Sequence, residues 1–221
     1  MAATRLRDTR EFYLDPEAEG LVAPLHLAFA TARAGPTVLD YGCATGNYCL
    51  ALRDAGFECV GVDVNERYVE RARQRGLDAR LATPGAPIPL AAASVDTVLL
   101  FEVLEHVPEY EFVLSEAKRV ARKNVLITVP NCGAVEGLAR ASVVPDHMLD
   151  VDHVNFFTRA QLDTSLAKVF PSYELREEEY RDSALYRFLF PPPVGLALAA
   201  LARTGVVGRR FSYRLFAEAR V

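Results

Sequence analysis

The sequence predicts an α/β protein, a three-layer αβα sandwich in which helices cover both faces of a mostly parallel sheet. Short apolar segments typical of buried strands alternate with segments whose apolar residues recur at helical spacing. A strand, a glycine-containing loop and the start of a helix follow one another at residues 38–48. Because parallel strands run in the same direction, their carboxyl ends should lie at one common edge of the sheet.

Length and charge restrict the class of protein. The 221 residues fit one domain, so we expect a single domain over 1–221 with an N-terminal helical segment (1–35) and a helical insertion or lid (about 181–212). Hydrophobic residues make up 51% and charged residues 24%, which is typical of a folded globular protein and argues against disorder. A net charge of -4 without a long basic run makes nucleic acid an unlikely partner.

The cysteines, the N-terminus and the apolar segments predict the cellular compartment and the relation to a membrane. The four cysteines form no CxxC pair, and the N-terminus lacks the apolar centre of a signal peptide, so we expect reduced thiols and a cytoplasmic protein. The apolar stretch 185–202 is interrupted by Arg187 and by prolines at 191–193, so no transmembrane segment is expected. This stretch could cover the core, form a lid or contribute to a homodimer interface.

Each predicted element is bounded by residues that start or stop it. Pro36 precedes the first strand, Asn65 is placed to cap a helix, and Thr158 and Gln161 form a capping-box pair. The predicted strands are 38–40, 58–63, 78–82, 96–101, 125–129, 173–180 and 214–221. The predicted helices are 17–34, 47–55, 66–75, 109–121 and 158–169.

Three acidic residues lie at the predicted carboxyl ends of strands, where open parallel sheets bind their ligands. These are Asp40, Asp63 and Glu102. An acid after the second strand can accept hydrogen bonds from both ribose hydroxyls of a nucleoside. The chain has neither the GxGxxG triplet of dinucleotide sites nor a Gly-Lys-Ser/Thr phosphate loop. A nucleoside-like ligand without a required pyrophosphate is therefore predicted.

These residues resemble the class I S-adenosylmethionine-dependent methyltransferases, and in particular their small-molecule group. The resemblance rests on VLDYGCATG at 38–46, VGVD at 60–63 and SVDTVLLFEVLEHV at 94–107. It covers about residues 36–130, with a fainter similarity through DHVNFFT at 152–158. The resemblance implies a Rossmann-like, mostly parallel seven-stranded sheet with an antiparallel last strand.

The resemblance also implies roles for individual residues in binding S-adenosylmethionine. Gly42 and Gly46 would flank the methionine part of this cofactor, with Asp40 near its amino group. Asp63 would bind the ribose, and Val64 would pack on the adenine. Glu102 would lie near the transferable methyl group; helix-terminal stabilisation is the alternative role of this acid.

Two positions depart from the family pattern. Family members often have glycine where this chain has Ala44, a change that the backbone tolerates where its φ is negative. An aspartate that commonly contacts the adenine amino group is replaced by Pro84, so backbone groups around Gly85 are expected to make that contact. Ala44 and Gly85 thus belong to the predicted cofactor site.

Catalysis is assigned to the histidine-rich loop at 145–155. We predict His153, with His147 beside it, as a base or acceptor-orienting residue, because a hydroxyl acceptor has to lose a proton. Hydrogen bonds within the loop are the structural alternative, and a metal site is a further alternative. No metal is expected, because the spacing matches no established ligand pattern. His106 is interpreted as a structural histidine.

The predicted function is methyl transfer from S-adenosylmethionine to a small-molecule acceptor, with O-methylation favoured and S-adenosylhomocysteine as product. The transfer is an in-line displacement, which depends mainly on alignment of the acceptor. Two alternatives stay open: a related transferase that moves another group, such as an aminopropyl group, and a non-catalytic protein that binds S-adenosylmethionine.

Overall fold

A computed structural model describes residues 9–133, 146–207 and 211–221, which form one sheet covered by helices. Seven strands of this part of the chain pair in the order β3-β2-β1-β4-β5-β7-β6. The strands are β1 (Thr37–Tyr41), β2 (Glu58–Asp63), β3 (Asp78–Leu81), β4 (Val95–Phe101), β5 (Ala121–Pro130), β6 (Ser172–Tyr180) and β7 (Ser212–Arg220). β7 runs antiparallel to both β5 and β6, whereas the β1–β2, β1–β4, β2–β3 and β4–β5 pairs are parallel. The predicted fold class is confirmed.

Helices occupy most of the connections between strands. They are α1 (Pro24–Arg33), α2 (Asn47–Asp54), α3 (Glu66–Gln74), α4 (Tyr110–Val120), α5 (Arg159–Val169), α6 (Asp182–Leu189) and α7 (Pro192–Thr204). Short 3-10 helices lie at Thr9–Leu14, Pro16–Ala18, Leu104–His106 and Asp146–Leu149. No helix of the described ranges has both the length and the apolar character needed to cross a bilayer.

The helix starts follow the local chemistry of their first residues. The Asn65 side chain accepts a hydrogen bond from the Arg67 N–H at the start of α3. Thr158 and Gln161 form the predicted capping box at the start of α5. Both contacts satisfy N–H groups that a helix end leaves without an intrahelical partner, so these predicted helix starts are confirmed.

The N-terminal helix is shorter than predicted. The segment 17–34 contains a 3-10 turn at Pro16–Ala18 and then a separate helix, α1, with Pro24 in its first turn. Gly20 adopts a left-handed backbone with φ of 78° between the two. The apolar spacing predicted one helix because it continues across this break, but a left-handed residue ends any right-handed helix.

The predicted insertion contains two helices, which the prolines at 191–193 separate. α6 and α7 meet at the prolines, and the backbone of Gly195 in α7 packs against α6. A Cβ at Gly195 would lie 2.7 Å from the carbonyl oxygen of Tyr186. This close approach requires glycine and fixes how the two helices pack.

The strand register brings the acidic strand ends together. In the parallel pairs, Asp40 lies opposite Gly61 of β2 and Leu99 of β4. Asp63 ends β2, and Glu102 follows the last residue of β4. Three acids that are distant in sequence therefore lie at one edge of the sheet.

Candidate active site

Two cavities adjoin the turn that follows β1. The first cavity, of about 320 Å³, is lined by residues from the ends of β2 and β4 and by part of the loop before α5. The second cavity, of about 360 Å³, lies beneath the N-terminal segment and α1. Both are lined by Tyr13, Gly42, Ala44 and Glu102. An extended ligand could therefore occupy both cavities across this turn.

The glycines of the turn have different structural roles. Gly42 has a φ of 80°, and a Cβ there would lie 2.6 Å from Val103 Cγ2, so only glycine keeps this wall of the cavities open. Gly46 precedes α2 with a φ of 84°, and a Cβ there would collide with the Leu77 side chain. Gly46 lines neither cavity. It allows α2 and α3 to pack closely, as the third glycine of a dinucleotide motif does.

The Ala44 backbone adopts the left-handed region, with a φ of 47°. A negative φ, the condition under which alanine was expected to be tolerated here, is therefore not found. The left-handed conformation directs the Ala44 N–H toward Asp63, and the donor and the Asp63 Oδ2 atom are 2.8 Å apart. The hydrogen bond offsets part of the steric cost that a Cβ carries in this region.

The Asp63 carboxylate connects two loops of the site. One oxygen accepts the Ala44 N–H, and the other accepts the Asn65 N–H at 2.8 Å. Asp63 is 8% exposed and lines the first cavity. Burial raises the pKa of this carboxyl, while the backbone hydrogen bonds counteract the shift. Each oxygen retains a further lone pair that can accept a ligand hydroxyl.

Asp40 is the most buried acid of the strand ends, with 2% of its surface exposed. Burial and the nearby Asp63 carboxylate raise its pKa to about 7. The Cys49 thiol, 3.8 Å from Asp40 Oδ2, counteracts the shift. Asp40 lines the second cavity, where a cationic group would stabilise its ionised form.

Glu102 lies beside side chains from distant parts of the chain. Burial alone would raise its pKa, but His26 and Arg214 lower it to about 2. Arg214 Nε donates to Glu102 Oε2 at 2.9 Å, and His26 Nε2 lies 3.5 Å from Oε1. Arg214 also pairs with Glu179 of β6. An ionised carboxylate is thus fixed on the wall that both cavities share.

Tyr13 covers the cavities from the N-terminal side. It belongs to the 3-10 helix Thr9–Leu14, and its ring makes an edge contact with Tyr68 at a centroid distance of 6.1 Å. The Tyr13 N–H donates to the Tyr68 hydroxyl at 3.3 Å. Burial and the Glu102 carboxylate raise the pKa of the Tyr13 phenol, so this hydroxyl stays protonated at neutral pH.

A histidine cluster adjoins the first cavity. His106 lines this cavity together with Asp152, and His106 Nδ1 lies 3.3 Å from Asp152 Oδ2. His153 packs against His106, with the ring centroids 4.6 Å apart, and its Nε2 lies 3.7 Å from Asp150 Oδ2. His153 is not part of the wall of either cavity. Glu105 lies beside the two rings and is 1% exposed.

The remaining predicted site residues are Val64, Gly85 and His147. Val64 is 50% exposed and lines the first cavity. Gly85 has a φ of 73° and lines neither cavity. His147 belongs to the 3-10 helix Asp146–Leu149, and its side chain lies outside the described part of the structure.

Sequence reasoning did not identify Tyr13, His26 and Arg214 as site residues, and it interpreted His106 as structural. Tyr13 and His26 precede every glycine motif, and Arg214 lies in the last strand. Only the order of the strands and the position of α1 bring them to the site. For His106, the adjacency to Glu105 after a strand end was a usable signal.

Both a family model and curated relatives that match this chain are methyltransferases. A family model described as a methyltransferase domain matches residues 13–169. A ubiquinone biosynthesis O-methyltransferase of Hahella chejuensis is 36% identical over 110 residues, 46% of each protein. The 27-O-demethylrifamycin SV methyltransferase of Amycolatopsis mediterranei is 35% identical over 98 residues, 41% of this chain and 36% of that enzyme. The chain thus matches less than half the length of either relative.

Similarity to solved structures extends over nearly the whole chain. A methyltransferase from Archaeoglobus fulgidus, described as dependent on S-adenosylmethionine, superposes with a TM-score of 0.68. The match covers 95% of this chain and 99% of that chain at 17% identity, which supports the fold. Together with the family model, it confirms the resemblance that the sequence motifs indicated.

Replacing Ala44 by glycine should stabilise the protein. The left-handed backbone costs a residue with a Cβ about 1–2 kcal/mol, and the greater freedom of glycine in the unfolded chain cancels part of the gain. We expect urea denaturation to show a free energy of unfolding about 0.5–1 kcal/mol higher for Ala44→Gly. Ala51→Gly, inside α2, is the control and should lower it by about 1 kcal/mol. A loss of stability in Ala44→Gly similar to the loss in Ala51→Gly would contradict this account of Ala44.

Proposed function

The chain belongs to the methyltransferase family whose model it matches. From this premise we propose that it methylates a hydroxyl group of a small molecule with S-adenosylmethionine. The proposal rests mainly on Asp63, a buried carboxylate at the end of β2 that lines the first cavity. An acid at this position of a parallel sheet binds the ribose hydroxyls of a nucleoside. The backbone N–H bonds from Ala44 and Asn65 orient it for that role.

The cavity walls fit the parts of S-adenosylmethionine in order. Val64 offers an exposed apolar surface beside Asp63 for the adenine. The absence of a Cβ at Gly42 leaves room for the chain that joins the nucleoside to the amino acid. Asp40 offers a buried carboxylate to the amino group. When bound, S-adenosylmethionine supplies an electrophilic methyl group.

The second cavity is proposed to receive the acceptor. Phe12, Tyr13, Tyr48 and Phe101 contribute aromatic surface to its wall, which suits an aromatic or lipophilic molecule. Glu102 is too strongly stabilised as a carboxylate to be a base near neutral pH. It can instead accept a hydrogen bond from the acceptor hydroxyl and orient its oxygen toward the methyl group. The two curated relatives support a hydroxyl acceptor, since both are named for O-methylation or for an O-demethylated compound.

We propose that the histidine cluster holds in place the part of the cavity wall that lies nearest the methyl group and its acceptor. His106 contacts the first cavity directly, whereas His153 can act only through His106 or after movement of the loop. We therefore assign to His153 the acceptor-orienting role rather than that of a base. The helical insertion, about 181–212, is proposed as the lid that limits access of water to the acceptor.

The donor assignment predicts that Asp63→Asn weakens binding of S-adenosylhomocysteine at least about tenfold, because an amide loses the negative charge that the ribose hydroxyls require. Calorimetric titration of the parent and the variant with S-adenosylmethionine and S-adenosylhomocysteine measures this. Asp54→Asn, an exposed acid in α2, is the control and should bind as the parent does. Lack of binding by the parent protein would overturn both the methyltransferase and the non-catalytic cofactor-binding hypotheses.

Binding should depend on pH through Asp40. Its pKa of about 7 in the free protein should fall when an ammonium group lies beside it, so the complex binds fewer protons than the free protein. Affinity for S-adenosylhomocysteine should therefore rise about tenfold from pH 5.5 to 7 and level off above pH 7. Asp40→Asn should bind more weakly and with a flat profile over this range. Parallel pH profiles for both proteins would remove Asp40 from the donor site.

Replacing His153 by alanine should lower turnover by about tenfold or more, because His106, which lines the first cavity beside Glu102, loses the ring that packs against it. The dissociation constant of S-adenosylhomocysteine should change less than turnover does. Methyl transfer to a panel of phenols, catechols and lipophilic alcohols measures the first quantity, and calorimetry measures the second. His147→Ala in the same assay tests the other predicted histidine. Full turnover in His153→Ala would refute its role, and aminopropyl transfer without methyl transfer would select the alternative transferase.

A further inference from the structure

Two imidazoles and a carboxylate converge where the turn after β4 meets the loop before α5. One ligand atom from each of Glu105, His106 and His153 lies within 4.8 Å of the other two. This donor set, two histidines and one acidic residue, is typical of sites for zinc and related transition metals. We propose that these three residues bind a zinc-type divalent cation beneath the wall of the first cavity.

The spacing of the three atoms suits a metal ion after a small adjustment. The centre of a triangle with sides of 4.8 Å lies about 2.8 Å from its corners, against metal–ligand bonds of about 2.0–2.2 Å. Each side chain has to move by less than about 1 Å, which side-chain rotations supply. The centre of the cluster is thus large enough for an ion and close enough to a bonded geometry.

Glu105 gives the independent reason to expect a cation. Its side chain is 1% exposed, and among the described residues no hydrogen-bond donor lies within reach of its Oε2 atom. A buried acceptor without a partner is costly, and a buried carboxylate needs a positive partner. A metal ion between Glu105 and the two imidazoles supplies both a bond to oxygen and positive charge.

The surroundings of the histidines resemble those of metal-bound imidazoles. His106 has the Asp152 carboxylate 3.3 Å from its Nδ1, and His153 has the Asp150 carboxylate 3.7 Å from its Nε2. In metal sites, such a carboxylate next to one ring nitrogen orients the ring so that the other nitrogen can bind the ion. Each histidine of the cluster therefore has its own orienting acid.

The two segments that carry the ligands are already joined by backbone contacts. The N–H groups of Val154 and Asn155 donate to the Glu105 carbonyl oxygen at 2.8 and 3.0 Å. The Asn155 side-chain amide donates to the carbonyl oxygens of Leu104 and Val107. These bonds fix Glu105 and His153 relative to each other before any ion binds, so binding does not have to order a free loop.

The cation would be a structural element of the wall. Because His106 and Asp152 also line the first cavity, the ion holds the loop before α5 against the proposed donor site, a consequence that rests on the proposed function. Binding of the cation itself does not depend on that function. The sequence-based expectation of no metal followed from spacing alone, whereas the fold brings together residues 48 positions apart, Glu105 and His153.

Thermal unfolding of the parent protein tests the site without a methyl acceptor. After chelation and dialysis, Zn²⁺ at about 100 times its dissociation constant should raise Tm by about 5–10 °C, and Mg²⁺ should not. Glu105→Gln should separate the two states. Without metal its Tm should be close to that of the parent, because an amide replaces a carboxyl group of similar shape, and with Zn²⁺ the rise should be lost.

Controls separate this site from surface binding and from a failure to fold. Glu109→Gln makes the same change at an exposed acid near the cluster and should retain the Zn²⁺ response. Co²⁺ should give visible absorption bands in the parent and in Glu109→Gln, and these bands should be absent in Glu105→Gln and His153→Ala. A Zn²⁺ response that Glu105→Gln retains, or no response in the parent, would overturn the proposal.

A final measurement distinguishes this inference from the proposed function. Calorimetry with S-adenosylhomocysteine, on metal-free and Zn²⁺-loaded parent protein, should show tighter binding to the loaded form. Zn²⁺ binding without any S-adenosylhomocysteine binding would retain the metal site and refute the proposed donor site. Equal affinity of both forms for S-adenosylhomocysteine would contradict the role of the cation in the cavity wall.

Discussion

The hydrogen bond between the Asp63 carboxylate and the Ala44 N–H is the contact on which the geometry of the site depends. It joins the end of β2 to the turn after β1, and it forms only because the Ala44 backbone is left-handed. The opposite oxygen of Asp63 accepts the Asn65 N–H and so positions the start of α3. One side chain thus sets the shape of two loops and faces the cavity between them. Strain at Ala44 is tolerated because the bond that it permits lies in a buried environment.

Several acidic side chains lie at this edge of the sheet, and they differ in how well nearby groups offset their negative charge. Among the described residues, Glu102 has Arg214 as a direct partner, Asp40 has the Cys49 thiol near its buried carboxylate, and Glu105 Oε2 has no hydrogen-bond donor. The Arg214 pair helps to keep the Glu102 carboxylate ionised in the ligand-free protein. A positive group beside Asp40 or Glu105 would stabilise the ionised carboxylate, which links the proposed amino-group site at Asp40 and the proposed cation site at Glu105.

The sequence predicts residues whose role follows from local chemistry. Asp40, Asp63 and Glu102 could be identified because each follows an apolar strand, and Asn65 and Thr158 because a capping side chain acts within three residues. Arg214 could not, since its partner Glu102 is 112 positions away and only the antiparallel β5–β7 register brings them together. The left-handed backbone of Ala44 could not be predicted for a related reason: it accompanies a hydrogen bond to the neighbouring strand end.

Arg214 connects Glu102 to the strand from which the proposed lid departs. Its guanidinium contacts Glu102 after β4 and Glu179 near the end of β6, from which the insertion departs. Glu179 itself has a left-handed backbone, with φ of 54°, just before α6 begins. Displacement of the insertion would therefore disturb the same ion pair that orients Glu102. Since methyl transfer depends on alignment to within a fraction of an ångström, a rigid link of this kind would couple closure of the proposed lid to the position of the carboxylate proposed to orient the acceptor.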